Sequence, residues 1–217
     1  MKRLFLNFET LPDIQGARAL YDLPSTLSDK DTGKVLFHHH IQQEGRDARF
    51  LSPWQSRLAM VSMLSIHDEE VKLTSFQKEA CDEKQLLETI SRQLSEHDMT
   101  FCWDEGRGIN SLLHVRSMIL GVQLPDRHVR TVERRMRIQP GSVTLGTIAM
   151  RFGISASPMP GDELTWKLVQ SDGESSLVRR CEINLIASAL LGLKHLHTTA
   201  EIDNDLHATL QKRCEQL

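Results

Sequence analysis

The chain has 217 residues, 40% of them hydrophobic and 25% charged, which is the composition of a globular protein with a sizeable core. The formal net charge of −3 at pH 7 gives no global attraction to nucleic acid, so any such binding must come from a local basic patch. No apolar run approaches the ~18 residues that a membrane helix needs, so no membrane partner is expected, and four scattered cysteines without CxxC spacing indicate reduced thiols in a cytoplasmic protein.

The first predicted element is a short, apolar, β-rich stretch over residues 3–13, which contains a proline near its end and is typical of a buried strand. Asn7 and Glu9 are two residues apart. On a strand their side chains therefore point to the same face of the sheet.

The pattern then predicts a helix over residues 28–43, hairpin strands over 54–66 and 71–76, an amphipathic helix over 84–97 and a buried strand over 99–103. Three consecutive histidines at 38–40 diverge by about 100° per residue and cannot all face one ion, so we interpret them as an exposed helical face. The order of strand, hairpin, helix and strand indicates a mixed α/β sheet.

Helices are predicted over residues 111–120, 142–152 and 175–197, with a short helix or turn over 164–168. Ser142 is the expected N-cap of the second of these helices, and Gly153 is its expected C-terminal stop. The last twenty residues are predicted to form a peripheral helix. We therefore expect one domain over residues 1–200 and a C-terminal peripheral helix over 201–217.

Residues 126–137 are unusually basic for a chain of negative net charge. This segment is either a solvated helix face or an anion-binding surface. Its cations are Arg127, His128, Arg130, Arg134, Arg135 and Arg137, set against Asp126 and Glu133.

Three stretches, in order, resemble the motifs of bacterial 3′–5′ exonucleases related to the proofreading domain of family B DNA polymerases. Residues 6–13 (LNFETLPD) are similar to the first motif, FDIETIPD, residues 103–122 to the second, FNGRGFDLPLL…GV, and residues 180–184 (RCEIN) to the third, YCETDV. Segments 14–31 and 50–62 are similar to the connecting regions, so the likeness extends over about residues 4–195. It implies an α/β, ribonuclease H-like (DnaQ-like exonuclease) fold with a mixed sheet flanked by helices.

The resemblance also implies a site where four carboxylates hold two Mg²⁺ or Mn²⁺ ions about 4 Å apart. This sequence keeps Glu9 but has Asn7 at the first aspartate, Asn184 at the third-motif aspartate and Arg180 at the tyrosine that helps to orient water.

The second motif and its supporting segment depart from the family as well. An ungapped match puts Ile109 at the second-motif aspartate, and a one-residue shift puts Asn110 there. Arg130 replaces the aspartate of the supporting segment HxDLMD.

One remaining acid with an arginine nearby predicts no paired Mg²⁺, and at most weak metal binding at Glu9. We expect a protein that has lost two-metal catalysis and acts as a nucleic-acid-binding or protein-interaction module. Single-stranded DNA or RNA would contact a set of arginines: Arg107, Arg127, Arg130, Arg134, Arg135 and Arg179.

The alternative is an active metal-dependent 3′–5′ exonuclease with an altered or single-metal site, whose cofactor would be Mg²⁺ or Mn²⁺. Replacement ligands for such a site could be Asp104, Glu105, Asp162, Glu163 or Glu182. Glu182 is the best placed in sequence, but on a helix it lies two residues from Asn184 and points elsewhere.

Overall fold

A computed structural model describes residues 1–45, 48–77, 82–158, 161–173 and 176–217. Its strands are β1 (Lys2–Pro12), β2 (Ser56–His67), β3 (Glu70–Gln77), β4 (Met99–Cys102) and β5 (Arg130–Thr131). Its helices are α1 (Ile14–Leu20), α2 (Asp29–Glu44), α3 (Glu83–Glu96), α4 (Ile109–Leu120), α5 (Val132–Arg135), α6 (Leu145–Arg151), α7 (Asp162–Asp172), α8 (Ser176–Thr198) and α9 (Asn204–Glu215).

The strands form one five-stranded sheet in the order β3-β2-β1-β4-β5. The β1–β2 and β2–β3 pairs are antiparallel, whereas β1–β4 and β4–β5 are parallel. The mixed α/β sheet flanked by helices is therefore confirmed.

Strand β1 lies at the centre of the sheet, and both of its faces are covered. Phe5 packs in the cluster that contains α8 residues, whereas Leu4, Leu6 and Phe8 pack in the cluster formed with α3 and α4. Burial on both faces explains why this strand has an almost continuous apolar sequence.

A third apolar cluster lies around the end of β1. It joins Leu11 to Phe37 of α2, Trp166 of α7 and Cys181 of α8. Helices α2 and α7 therefore pack around the end of β1 that carries the first motif.

The hairpin, the helices around residues 28–43, 84–97, 111–120 and 175–197, and the strand at 99–103 are confirmed with boundary shifts of a few residues. The predicted turn at 164–168 is part of a longer helix, α7. Helix α1 was not predicted from the sequence; Asp13 caps it by accepting a hydrogen bond from the Gly16 amide.

Three expectations are wrong. Residues 126–137 do not form a helix face but a loop followed by β5 and the single turn α5. Thr144, not Ser142, is the N-cap of α6, because its hydroxyl accepts a hydrogen bond from the Thr147 amide. His40 is 4% exposed, so the three histidines are not an exposed face.

Helix α9 packs against α8 through side chains that belong to the central core. Leu210 is 0% exposed and Cys214 is 1% exposed, and both lie in the cluster with Phe5. Within the described ranges, no helix combines the length and apolarity needed to cross a membrane.

Candidate functional site

The alternation of β1 directs Asn7 and Glu9 toward α8, as the two-residue spacing predicts. Both side chains are buried: Asn7 is 2% exposed and Glu9 is 1% exposed. A carboxylate buried to this extent needs a compensating charge or several hydrogen-bond donors.

Arg180 of α8 provides that charge. Its Nε donates to Glu9 Oε1 at 3.0 Å and its Nη2 donates to Glu9 Oε2 at 2.7 Å, a bidentate ion pair. Nη2 also lies 3.3 Å from the Thr165 hydroxyl of α7. Both carboxylate oxygens of the surviving acid are therefore engaged.

The amides of Asn7 and Asn184 make hydrogen bonds as well, although Asn184 Nδ2 has no partner among the described residues. Asn7 Nδ2 donates to the Cys181 carbonyl at 3.2 Å and lies 3.3 Å from the Cys181 sulfur. Asn184, which is 0% exposed, accepts a hydrogen bond from the Ser157 amide at 2.9 Å. Burial raises the pKa of the Cys181 thiol to about 12, so this sulfur stays protonated and neutral.

Helix α7 and the segment before β2 cover this region. Asp162, at the start of α7, accepts hydrogen bonds from the Thr10 hydroxyl at 3.0 Å and from the Leu51 amide at 2.7 Å. Burial raises the pKa of Asp162, which is 3% exposed. Through these two hydrogen bonds, Asp162 connects α7 to β1 and to the segment before β2, near the end of the first motif.

These residues do not fit a pair of divalent cations. A dication at Glu9 would have to displace the Arg180 guanidinium, and the Asn184 carbonyl oxygen already accepts a hydrogen bond. Mg²⁺ prefers anionic oxygen ligands. In the described part of the chain, no group of three or more His, Cys, Asp or Glu side chains is placed to hold a metal ion.

The two candidate positions for the second-motif acid have different surroundings. Ile109 is 2% exposed and packs in the core with Leu6. Asn110 instead exchanges two hydrogen bonds with the backbone of Val129, each 2.9 Å long. Both positions considered for the second-motif acid line a cavity beside the basic segment, Ile109 from the core and Asn110 through its contacts with Val129.

The acids considered as replacement ligands have other contacts. Asp104 accepts hydrogen bonds from the Gly108 and Ile109 amides at the start of α4, and Glu105 accepts one from the Leu145 amide. Glu163 pairs with Lys167 on the exposed side of α7. Glu182 accepts a hydrogen bond from the Ser75 hydroxyl of β3.

Glu133 is a buried carboxylate that connects the second motif to α5. Its Oε1 accepts hydrogen bonds from the amides of Asp104 and Glu105 at 2.9 and 2.8 Å. Burial raises its pKa to about 7. This acid holds the turn that precedes α4.

A cavity of about 710 Å³ lies between the start of α4 and the basic segment, and we call it the arginine cavity. Its lining includes His128, Arg130 and Arg134, which are exposed, and Arg135. Arg135 is paired with Glu201, whereas Arg134 makes no side-chain hydrogen bond or ion pair among the described residues.

The remaining arginines of the predicted interface are dispersed. Arg127 donates to the His97 carbonyl. Arg179 is exposed on α8 and does not line the arginine cavity.

Arg107 is not available at the surface. It is 7% exposed, donates to the Phe8 carbonyl at 2.6 Å and lies 4.6 Å from the Phe50 ring centroid. Arg107 therefore supports the end of β1 and is not placed to contact a nucleic acid.

Sequence reasoning named Asp162 only as a possible metal ligand and missed two contributors to the buried site, Thr165 and Cys181. Nothing in the local sequence around Thr165 or Cys181 indicates that either side chain contacts the first motif. The packing of α7 brings Asp162 and Thr165 to the first motif, and the packing of α8 against β1 brings Cys181 to it.

Comparison with known proteins supports a likeness of fold. No protein-family model and no curated protein matches the chain. Among solved structures, the family B DNA polymerase from the hyperthermophilic archaeon Pyrobaculum calidifontis aligns with a TM-score of 0.56 and 13% identity, covering 99% of this chain and 29% of that chain. The chain thus spans less than a third of the polymerase, and at this identity it shares a fold with part of a DNA polymerase.

Proposed function

We propose that the chain is a ribonuclease H-like, exonuclease-like protein that binds single-stranded nucleic acid without cutting it by a two-metal mechanism. The observation that carries the proposal is the bidentate Glu9–Arg180 pair, which occupies both oxygens of the one acid left from the first motif. Fold likeness to a family B DNA polymerase supports the nuclease-like frame.

The loss of cleavage follows from charge. A two-metal site stabilises both the attacking and the leaving oxygen with dications held by carboxylates. Here the Arg180 guanidinium occupies both oxygens of Glu9, and Asn7 and Asn184 contribute no negative charge. Such a site has no means of activating a water molecule with a metal ion.

Binding is assigned to the arginine cavity. Exposed guanidinium groups form charge-assisted hydrogen bonds with phosphate oxygens and release counterions from a nucleic-acid backbone. Arg130 and Arg134 face this cavity, and Asp104, its one carboxylate, is occupied by two backbone amides. The cavity therefore offers net positive charge in a protein whose overall charge is negative.

The test combines cleavage and binding on one preparation. We expect 3′-labelled single-stranded DNA and RNA to stay intact with Mn²⁺, while fluorescence anisotropy shows binding that weakens steeply with salt. Substitution of Arg130 and Arg134 by alanine should weaken binding. The matched control is Arg92→Ala, which removes an exposed arginine of α3 that does not line the arginine cavity.

Two outcomes would contradict the proposal. Mn²⁺-dependent degradation that disappears in Glu9→Gln would establish an active exonuclease. Absence of binding to any strand would favour a protein-interaction module instead.

A further inference from the structure

A second cavity, of about 390 Å³, adjoins the arginine cavity and shares Arg135 with it. It lies between the end of α5, the end of α6 and the exposed side of α8. Its volume is within the range of about 300–1,000 Å³ that is typical of small-ligand pockets. Its lining combines an exposed aromatic ring, Phe152, with the cations Arg137 and Lys194.

Phe152 is the C-cap of α6, and 45% of its surface is exposed. Lys194 Nζ lies 5.9 Å from the centroid of the ring. An exposed ring beside a cation can bind one nucleotide of a single strand. The base stacks on the ring, and the phosphate pairs with the cation.

Arg137 has an unusual backbone. It adopts a φ of 62°, a left-handed conformation that L residues other than Gly, Asn and Asp rarely adopt. Hydrogen bonds from the Arg137 amide to Arg134 and from the Ile138 amide to Glu133 hold this turn. In the described part of the chain its guanidinium has no hydrogen bond or ion pair. The Arg137 guanidinium is therefore exposed and available to an anionic ligand in this cavity.

Arg134 of α5 therefore lines one cavity, Arg137 just after α5 lines the other, and Arg135 lines both. Cations thus continue from the first cavity into the second. The two linings together contain Arg130, Arg134, Arg135, Arg137 and Lys194.

From the exposed ring, the unpaired guanidinium and the shared wall, we infer that this second cavity is a nucleotide subsite of the same single-strand interface, with a base stacked on Phe152 and the adjoining phosphate bound by Arg137. The inference rests on the proposed function. It adds a subsite whose affinity depends on whether the nucleotide carries a base. A strand lying across both cavities would pass Arg135.

The experiment measures anisotropy with two labelled strands of equal length: a thymidine oligomer and an abasic deoxyribose-phosphate oligomer. The two carry the same charge, but only one has bases. Phe152→Ala should weaken thymidine binding about tenfold and leave abasic binding unchanged, since stacking is lost only where a base is present. Phe152→Leu, which keeps an apolar side chain, should behave similarly and control for local packing.

Arg137→Gly should weaken binding of both strands and reduce the logarithmic salt slope by about 0.7, the value for one phosphate contact on a single strand. Glycine also suits a φ of 62°, so this variant should melt no lower than the parent. Met150→Ala on α6, exposed and outside the cavity lining, is the matched control and should change neither affinity.

The outcomes distinguish a failure of the subsite from a failure of the proposed function. If the parent binds and the Arg130 and Arg134 substitutions weaken it, but the Phe152 and Arg137 variants bind thymidine normally, the subsite is refuted and the proposed function stands. If the parent binds neither strand, both are refuted.

Discussion

Glu9 and Arg180 form a buried ion pair at a place where the family resemblance implies metal ions. Glu9 is 1% exposed, so its charge depends on the guanidinium for compensation. Removal of one partner from a buried pair leaves an uncompensated charge, whereas replacement of both by neutral side chains is often tolerated. The pair therefore contributes to the stability of the fold, and its carboxylate oxygens are not free to bind a ligand.

Arg180→Ala is accordingly expected to lower the free energy of unfolding by about 3–5 kcal/mol, because it leaves the buried Glu9 carboxylate without a compensating charge. The double variant Glu9→Gln with Arg180→Met should lose much less. Urea denaturation of the parent and the two variants measures the difference. Equal losses in the two variants would show that the pair does not act as a unit.

Restoring acids alone should not restore a metal site. We expect Asn7→Asp with Asn184→Asp to bind no Mn²⁺ at micromolar concentrations, because Arg180 still occupies both Glu9 oxygens. Binding should become measurable by calorimetry only when Arg180→Ala is added. Micromolar Mn²⁺ binding by the two aspartate substitutions without that change would contradict this reading of the site.

Glu133 predicts a pH dependence of stability. Its pKa is raised to about 7 in the folded protein, mainly by burial, from an ordinary value of 4.5. Below pH 4.5 both states hold the proton. Between 4.5 and 7 the unfolded state releases it first, so the contribution of Glu133 to stability falls as pH rises, by roughly 3 kcal/mol in total.

Glu133→Gln tests this dependence, because the glutamine carbonyl oxygen can still accept hydrogen bonds from the amides of Asp104 and Glu105. The variant should be more stable than the parent at pH 8 and should lack this part of the decline. Burial also raises the pKa of Asp162, so only the difference between the two proteins isolates Glu133. Parallel stability curves across this range would refute the assignment.

At the scale of elements, the contact between α8 and β1 positions the candidate site. Gly192 permits the close approach: a Cβ added there would lie 2.5 Å from Phe5 Cε1. The same two elements carry Arg180 opposite Glu9 and Cys181 opposite Asn7. Close packing at the far end of α8 thus fixes the alignment of the polar contacts.

Gly192→Ala should lower the free energy of unfolding by about 1–3 kcal/mol through overpacking against Phe5. The comparison is Gly146→Ala in α6, where the nearest atom to an added Cβ is 4.0 Å away. That change should be neutral or stabilising by up to about 1 kcal/mol, since alanine favours helix. Chemical denaturation of both variants provides the measurement; a neutral Gly192→Ala would mean that α8 can move away from β1.

At the scale of the whole molecule, the C-terminal helix is joined to the core. Leu210 and Cys214 of α9 are almost fully buried in the cluster that holds Phe5 and the apolar face of α8. Although residues 201–217 were predicted as a peripheral helix, they contribute apolar burial on the sheet face that carries Glu9.

A chain ended after residue 200 should therefore unfold at a clearly lower urea concentration than the full chain, because the face of α8 under α9 becomes exposed. Leu210→Ala in the full chain should cost about 2–5 kcal/mol, the usual range for a buried leucine. Lys212→Ala, an exposed change on α9, serves as the control. If truncation left the denaturation midpoint unchanged, α9 would be dispensable for the core.

Periodicity and composition were sufficient to predict most of the strands of the sheet and most of the helices that flank it. The apolar β1 sequence, the hairpin and the amphipathic α3 carry strong local patterns, so their secondary structure follows from the residues themselves. Local patterns failed where contacts from far along the chain decide the structure: α1, the single turn α5 and the buried His40 have no periodic signature of their own.

The amino-acid sequence established that Glu9 is accompanied by Asn7, Asn184 and Arg180 in the stretches that resemble exonuclease motifs, since residue identity alone sets the available charge. Only the tertiary structure decided what those residues do. Long-range packing pairs Arg180 with Glu9, brings Asp162 to Thr10, buries Arg107 and leaves Arg134 and Arg137 in neighbouring cavities. The reason is physical: a side chain's charge is local, but its burial and its partner depend on elements more than a hundred residues away.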